Sequence, residues 1–251
     1  MHKRMILLTI VVLFLVSCTS APQAAGNVEQ VQTVEDELAS ISDNGTGPDE
    51  EIHADTIATL SDTELTDSEI DGILYMREEE KLSRDVNLAM ADLWGMNIFA
   101  NIAGSEQTHM ESVLTLINLF SLEDPVRDNA VGKFNNPELQ SLYDSLMVRG
   151  SQSLEEALLV GGAIEEMDIM DLQTALPETA NSAVIEVYQN LLKGSTNHLQ
   201  SFVRNYERQT GEEYHPQYIS QEAFQDLLDS SSSRGGGGGQ GRNSAPQGQG
   251  Q

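Results

Sequence analysis

The chain has 251 residues, a formal net charge of −27 and a single cysteine, Cys18. That length allows one ordinary domain with appendages. The acidic excess argues against any nucleic-acid partner, and one cysteine excludes both an intramolecular disulfide and a cysteine-rich zinc or iron–sulfur site.

The first seventeen residues read as a signal peptide. Met1-His-Lys-Arg4 is a basic start, and Met5 to Val16 is an apolar run too short for a comfortable membrane span. Leu15-Val16-Ser17-Cys18 resembles the lipobox of bacterial lipoproteins. The resemblance implies cleavage before Cys18, lipidation of that residue, and attachment to a membrane through the lipid anchor. The expected location is the cell envelope, outside the cytoplasm. Thr19 follows the cysteine in place of Asp, which in a Gram-negative host indicates the outer membrane. Residues 18–64 are acidic, polar and poor in aromatics, and no lysine or arginine occurs between Met5 and Met76, as expected of a disordered tether. At the other end, residues 229–251 form a Ser/Gly/Gln-rich tail that is also expected to be disordered.

Between these tails, residues 65–228 read as a helical domain. Thr66-x-x-Glu69 is a capping box that opens a first long helix, stopped after Trp94 by Gly95. A second runs over about 97–121. A longer connection containing Pro125 leads to a short helix with Asn136 as N-cap, Pro137 in its first turn and Gly150 past its end. Ser153-x-x-Glu156 is a capping box for a third long helix ending before Pro177, and a fourth is expected from about Pro177 to Gln209, ahead of Gly211. Ser220 caps a small last helix that buries Phe224, Leu227 and Leu228. No segment reads as a strand. The fold class is therefore all-α: a four-helix bundle of two antiparallel hairpins, joined by a crossover that contains the short helix.

The second helix carries the strongest functional signal. Phe99, Ile102, Met110, Val113, Ile117 and Phe120 recur at helical spacing, and Glu106 and His109 fall inside that apolar stripe. A buried carboxylate and imidazole are costly without a partner; a metal ion is one such partner, and i, i+3 spacing puts both ligands on one side of it. The third helix interrupts its apolar face with Glu165, with Asp168 one turn on, while Gly161 and Gly162 leave room for close approach. The fourth places His198 on the face that carries Val184, Leu191 and Phe202. The first offers Glu78, Glu79 and Glu80. A wheel built on Leu74, Leu82, Val86 and Ala89 turns Glu78 inward with Asp85 beside it, whereas folding the chain at Gly95 puts Glu80 level with His109. The alternative for the triplet is a solvated charge run paired with Arg77 and Arg84.

The segments Glu79-Glu-Lys-Leu-Ser-Arg-Asp-Val86, Phe99-Ala-Asn-Ile-Ala-Gly-Ser-Glu-Gln-Thr-His-Met110, Gly150-Ser-Gln-Ser-Leu-Glu-Glu-Ala157, Ile164-Glu-Glu-Met-Asp-Ile-Met-Asp-Leu172 and Gly194-Ser-Thr-Asn-His-Leu199 resemble domain of unknown function 2202 (DUF2202), over about residues 65–225. That family is similar to rubrerythrins and other ferritin-like proteins, whose four helices hold two metal ions. Glu80 with Arg84 matches the Glu-x-x-x-Arg of the rubrerythrin first helix, and this resemblance selects Glu80 over Glu78. Glu106-x-x-His109 matches the second-helix motif, Glu165-x-x-Asp168 resembles the paired acids of the third, and His198 takes the place of the fourth-helix histidine. The implied metal ligands are thus Glu80, Glu106, His109, Glu165, Asp168 and His198. Ser195 departs from the pattern, standing where a Glu-x-x-His motif would put its glutamate, so either Asp168 supplies the second shared carboxylate or the site holds one ion.

Three functions follow from these readings. The first is a redox metalloprotein whose di-iron or di-manganese centre reacts with peroxide or oxygen, or oxidises ferrous iron. The second is a binding module holding a single structural ion such as zinc. The third is a metal-free scaffold whose acids pair with Arg77, Arg84 and Arg149. Iron is the expected metal, with manganese and zinc compatible with the same donors. Metal ions and the membrane are the expected partners, and a homodimer is left open.

Overall fold

In a computed structural model of the chain, the described residues are 57, 59–60, 63–127 and 130–232. The segment expected to be a signal peptide, Cys18, most of the expected tether and the end of the expected tail lie outside them. The described elements are helices α1 (Asp67–Trp94), α2 (Asn97–Leu119), α3 (Pro137–Gly150), α4 (Leu154–Ala175), α5 (Ser182–Thr210) and α6 (Gln221–Ser232), with one 3-10 turn at Leu176–Glu178. No strand occurs among the described residues, and none of their helices is long and apolar enough to cross a membrane.

Local chemistry sets the helix ends. The capping box at α1 is complete: Thr66 Oγ1 accepts from the Glu69 amide at 3.2 Å, and Glu69 Oε2 accepts from the Thr66 amide at 2.8 Å. Glu69 Oε1 also accepts from the amides of Ala180 and Asn181, both at 2.9 Å, tying the start of α1 to that of α5. Gly95 closes α1 in the left-handed region at φ +68°, and Gly211 closes α5 at +76°. Asn136 caps α3 as expected, and Ser153 caps α4. The Glu156 side chain, however, turns away to Arg149 Nε at 2.6 Å, so that box is half formed. The start of α5 differs from expectation. Pro177 lies in the 3-10 turn, and the helix opens only after Asn181, whose side chain accepts from the amides of Ala183 and Val184.

α1 packs along α2, and α4 along α5; the two pairs meet through α1 with α4 and α2 with α5, while α3 lies against α1 and α4. Both pairs run antiparallel. From Arg77 with Met110, through Glu80 with His109, to Arg84 with Gln107, the α2 number falls as the α1 number rises. Asp168 with Ser195 and Glu165 with His198 show the same descent between α4 and α5.

The apolar core is divided. One cluster holds Val86, Phe99, Ile102, Leu158 and Phe202; the other holds Ile73, Val113, Leu172, Val187 and Leu191. Along α1 and α5 the chain passes from the second cluster to the first, and along α2 and α4 it runs mainly the other way, as antiparallel neighbours must. In α1, α2 and α5 the changeover falls at the acids and histidines singled out from the sequence, and in α4 it falls just past Asp168, so these side chains form one polar layer between two apolar slabs. Ile57 is buried in the second cluster, and Thr63 accepts from Asn181 Nδ2 at 2.9 Å.

Gly161 is what lets α4 and α5 approach this closely. An ideal Cβ there would lie 2.2 Å from Cε1 of Phe202, a ring held in the core, so the contact has no soft side to yield. Gly161→Val is expected to lower the urea-unfolding free energy by about 1–3 kcal/mol through overpacking. An unchanged midpoint would show that the ring can move aside.

Candidate metal centre

Four helices deliver the six predicted residues to the polar layer. Glu80 comes from α1, Glu106 and His109 from α2, Glu165 and Asp168 from α4, and His198 from α5; each is at most 5% exposed. Glu106 stands at the middle. Its Oε2 lies 2.8 Å from His109 Nδ1, and its Oε1 lies 3.1 Å from His198 Nδ1. Each imidazole then meets a carboxylate of its own: His109 Nδ1 is 3.2 Å from Glu80 Oε2, and His198 Nδ1 is 3.5 Å from Glu165 Oε2. The two rings stack with centroids 5.3 Å apart and 27° between their planes. The ligand atoms of Glu106, His109 and His198 all lie within 4.8 Å of one another, a spacing compatible with a shared ion. Asp168 sits beside them and accepts a hydrogen bond from the Ser195 hydroxyl.

The layer contains acceptors that the protein itself does not satisfy. Glu80 Oε1, Glu165 Oε1 and Asp168 Oδ1 are buried without a hydrogen-bond partner. Buried carboxylate oxygens in that state are unfavourable unless protonated or bound to a cation. Their proton affinities show it. Burial pushes the Glu165 carboxyl up to about 8, reinforced by the neighbouring Glu106 charge and opposed by His198. Burial likewise pushes Asp168 up to about 7, against the Ser195 hydrogen bond that favours its ionised form. Glu80 is also raised by burial, in spite of His109. Glu106 alone moves downward: burial opposes its charge, but the combined pull of His198 and His109 prevails. The metal-free layer is therefore one firm anion between two imidazoles, flanked by carboxyls that hold protons near neutral pH.

A pH signature follows. A carboxyl whose folded value is raised binds more protons folded than unfolded, so its stabilising contribution is complete below its ordinary value and is lost as pH rises through the folded one. For Glu165 that window runs from 4.5 to about 8, and for Asp168 from 3.8 to about 7. Stability of the metal-free protein is expected to fall between pH 5 and pH 8 in urea titrations, and the same carboxyls should release protons when a divalent ion is added at pH 6.5. A metal-free stability that rises over this range would contradict the assignment.

The layer also uses residues that the helical periodicities did not mark. Ser83 Oγ donates to Glu106 Oε1 at 2.8 Å, and Ser105 Oγ lies 2.9 Å from His198 Nε2. By engaging Nε2, Ser105 leaves Nδ1 of His198 facing the carboxylates, the role an outer partner has for a metal-bound imidazole. The signal for Ser83 was available in the antiparallel register, which sets it level with Glu106.

The Glu78–Glu80 triplet is not a solvated charge run. All three side chains are buried, and they face different surroundings. Glu78, which the wheel turned inward, faces the crossover instead and accepts from the amides of Asn135 and Asn136 at the start of α3. Glu80 meets His109, and burial together with the Asp168 and Asp171 charges pushes the Glu79 carboxyl well above the usual carboxylate range. Nor do the arginines serve the polar layer. Arg77 pairs with Asp124, Arg84 with Asp85 and Arg149 with Glu156. The metal-free pairing weighed from the sequence is thus not the one formed.

The chain matches the uncharacterized protein domain family DUF2202 over residues 69–231. It belongs to that family. This DUF2202 domain is 43% identical over 182 residues to the uncharacterized protein MJ0754 of Methanocaldococcus jannaschii, covering 71% of the present chain and 96% of that protein. The crystal structure of the hypothetical protein MJ0754 is similar to it with a TM-score of 0.65 at 42% identity, over 66% of this chain and 95% of that one.

Proposed function

We propose that this DUF2202 domain is a ferritin-like metalloprotein that holds two iron or manganese ions in its polar layer and oxidises ferrous iron, or reacts with peroxide or oxygen, outside the cytoplasm. The observation that carries the reading is the paired arrangement about Glu106. Each histidine Nδ1 faces one carboxylate of its own and shares Glu106 with the other. Two ions would use the whole set, with Glu80 and His109 on one, Glu165 and His198 on the other, and Glu106 between. Asp168, held by Ser195, is the candidate for the second shared carboxylate that α5 lacks. The unpartnered oxygens of Glu80, Glu165 and Asp168 fit this use.

Mixed carboxylate and imidazole donors suit iron and manganese, and such ions supply one-electron and oxygen chemistry when bound. The chain's own residues do the rest. The carboxylates offset cationic charge, Ser83 and Ser105 orient Glu106 and His198, and the apolar slabs on either side exclude water. A second reading, a single structural ion on Glu106, His109 and His198, is favoured by the fact that only this trio brings its donor atoms mutually within 4.8 Å among the described residues.

Metal analysis of the purified chain, combined with ferrous-iron oxidation under peroxide or oxygen, separates the readings. Two ions per chain with oxidation faster than in buffer supports the first. One redox-silent ion supports the second, and no bound ion rejects both. The lipobox-like Leu15–Cys18 supports anchoring of the domain to an envelope membrane; fatty-acid labelling that survives Cys18→Ala would reject it.

A further inference from the structure

Ser83 joins Glu106 to a residue for which the proposed centre has no use. Asn87 lies one turn beyond Ser83 on α1 and is only 1% exposed. Its Nδ2 donates to the Ser83 carbonyl at 3.0 Å and lies 3.5 Å from Ser83 Oγ, whose own proton goes to Glu106 Oε1 at 2.8 Å. A carbonyl oxygen only accepts, so the first of these contacts fixes which end of the amide is nitrogen. Asn87 Oδ1 is thereby turned away from Ser83, and it has no hydrogen-bond partner among the described residues.

The surroundings offer that oxygen no donor. Leu82, Val86 and Met90 on α1 belong to the first apolar cluster, and the antiparallel register sets Asn87 level with the buried Ile102 and Ala103 of α2. A buried acceptor without a donor costs free energy, and leucine, of nearly the same shape and a better helix former, would avoid that cost. Nor does the fold need the amide, because its firm bond is to a carbonyl that the helix already engages.

Whatever completes Asn87 must be small, because the position is enclosed. It must carry an O–H or N–H to donate, and it must be neutral, because apolar neighbours do not repay the burial of a charge. Among the reactants of the proposed function, ferrous iron is a cation and dioxygen has no proton to donate. Hydrogen peroxide is neutral, small and carries two O–H groups.

We propose that Asn87 Oδ1 is the acceptor that seats hydrogen peroxide next to the polar layer, on the side of the first apolar cluster. The proposal rests on the redox reading above and narrows its oxidant to peroxide. One O–H of the peroxide donates to Asn87 Oδ1, and the other remains available to the layer. Water has the same donor chemistry and is the competitor that peroxide displaces.

Two measurements test this. In the metal-free full chain, the NMR signals of the Asn87 side-chain amide, assigned by their loss in Asn87→Leu, are followed as hydrogen peroxide is added. They are expected to shift and saturate, whereas those of Asn101, exposed on α2, should not saturate. In the metal-loaded chain, Asn87→Leu is expected to raise the KM for hydrogen peroxide about three- to tenfold, the worth of one neutral hydrogen bond, at the wild-type metal content. Asn87 signals that behave like those of Asn101 overturn the proposal and leave an acceptor for water only. An unchanged KM overturns it, and so does an equal loss when dioxygen replaces peroxide. A lower metal content in Asn87→Leu also overturns it, making Asn87 a part of the metal site. If the Asn87 signals saturate but the loaded wild-type chain consumes no peroxide, the subsite stands and it is the redox reading that fails.

Discussion

Glu106→Gln is expected to remove the metal-dependent part of the protein's stability. An ion present at about 1,000 times its dissociation constant stabilises the fold that binds it by about 4 kcal/mol. In urea unfolding with and without manganese or zinc, wild-type protein should show an increment of that size, reversed by chelator, and the variant should show none. The reason is positional. Glu106 is the one carboxylate in contact with both imidazoles, through a different oxygen to each. An amide has a single acceptor oxygen and no charge, so it cannot serve both. The metal-free variant should fall by less than about 3 kcal/mol, because the amide fills the same space and removes a buried charge. A full metal increment in Glu106→Gln would remove Glu106 from the ligand set.

Asp85→Ala is expected to be the most damaging single change outside the polar layer. Asp85 is fully buried and accepts from Lys81 Nζ, from Arg84 Nη2 at 2.8 Å and from the Gly132 amide at 2.8 Å. Lys81 is fully buried too; its ammonium also donates to Ala130 O and lies 4.5 Å from the centre of the Phe134 ring. Together they clamp the crossover onto α1. Removing the carboxylate strands a buried ammonium, which costs about 3–5 kcal/mol, a large part of the 5–15 kcal/mol that holds a typical domain together. The urea midpoint should drop accordingly at constant slope. The double variant Lys81→Met/Asp85→Leu should recover part of the loss, because the Lys81 charge is gone while Arg84 and the Gly132 amide still lack this acceptor. A single-variant loss below about 1 kcal/mol would mean that water reaches Lys81.

These two residues also show where sequence reading stops. Helix ends were legible because caps are local. Thr66 with Glu69, Asn136 ahead of Pro137, and Gly95 and Gly211 in the left-handed region all act within a few residues of the termini they set. The start of α5 was misplaced at Pro177 because proline suits the first turn of any helix, and that turn proved to be a separate 3-10 turn ahead of Asn181. The antiparallel register was legible at the level of Glu80 and His109, because the two-residue turn at Gly95 leaves no room for a shift.

The charged run of α1 was the hardest part to read. A helical wheel assumes one buried face and one wet face, but α1 is buried without interruption from Met76 to Ser83. α2 and α4 cover two sides, while α3 and the crossover cover a third. Glu78 consequently points away from the centre and is still buried, which no periodicity of α1 alone contains.

By itself the sequence determined the all-helical class, most of the helix ends, and which acids and histidines interrupt apolar stripes, because caps and periodicity act within single helices. Only the tertiary structure decided how those groups meet. Glu106 touches both histidines, Asp168 is held by Ser195, and the crossover turns a run of surface-like charges into buried anchors. Apart from Glu106 with His109, which share α2, these contacts join residues distant in the chain, and their distances depend on how closely the helices pack, which Gly161 and the two apolar slabs set.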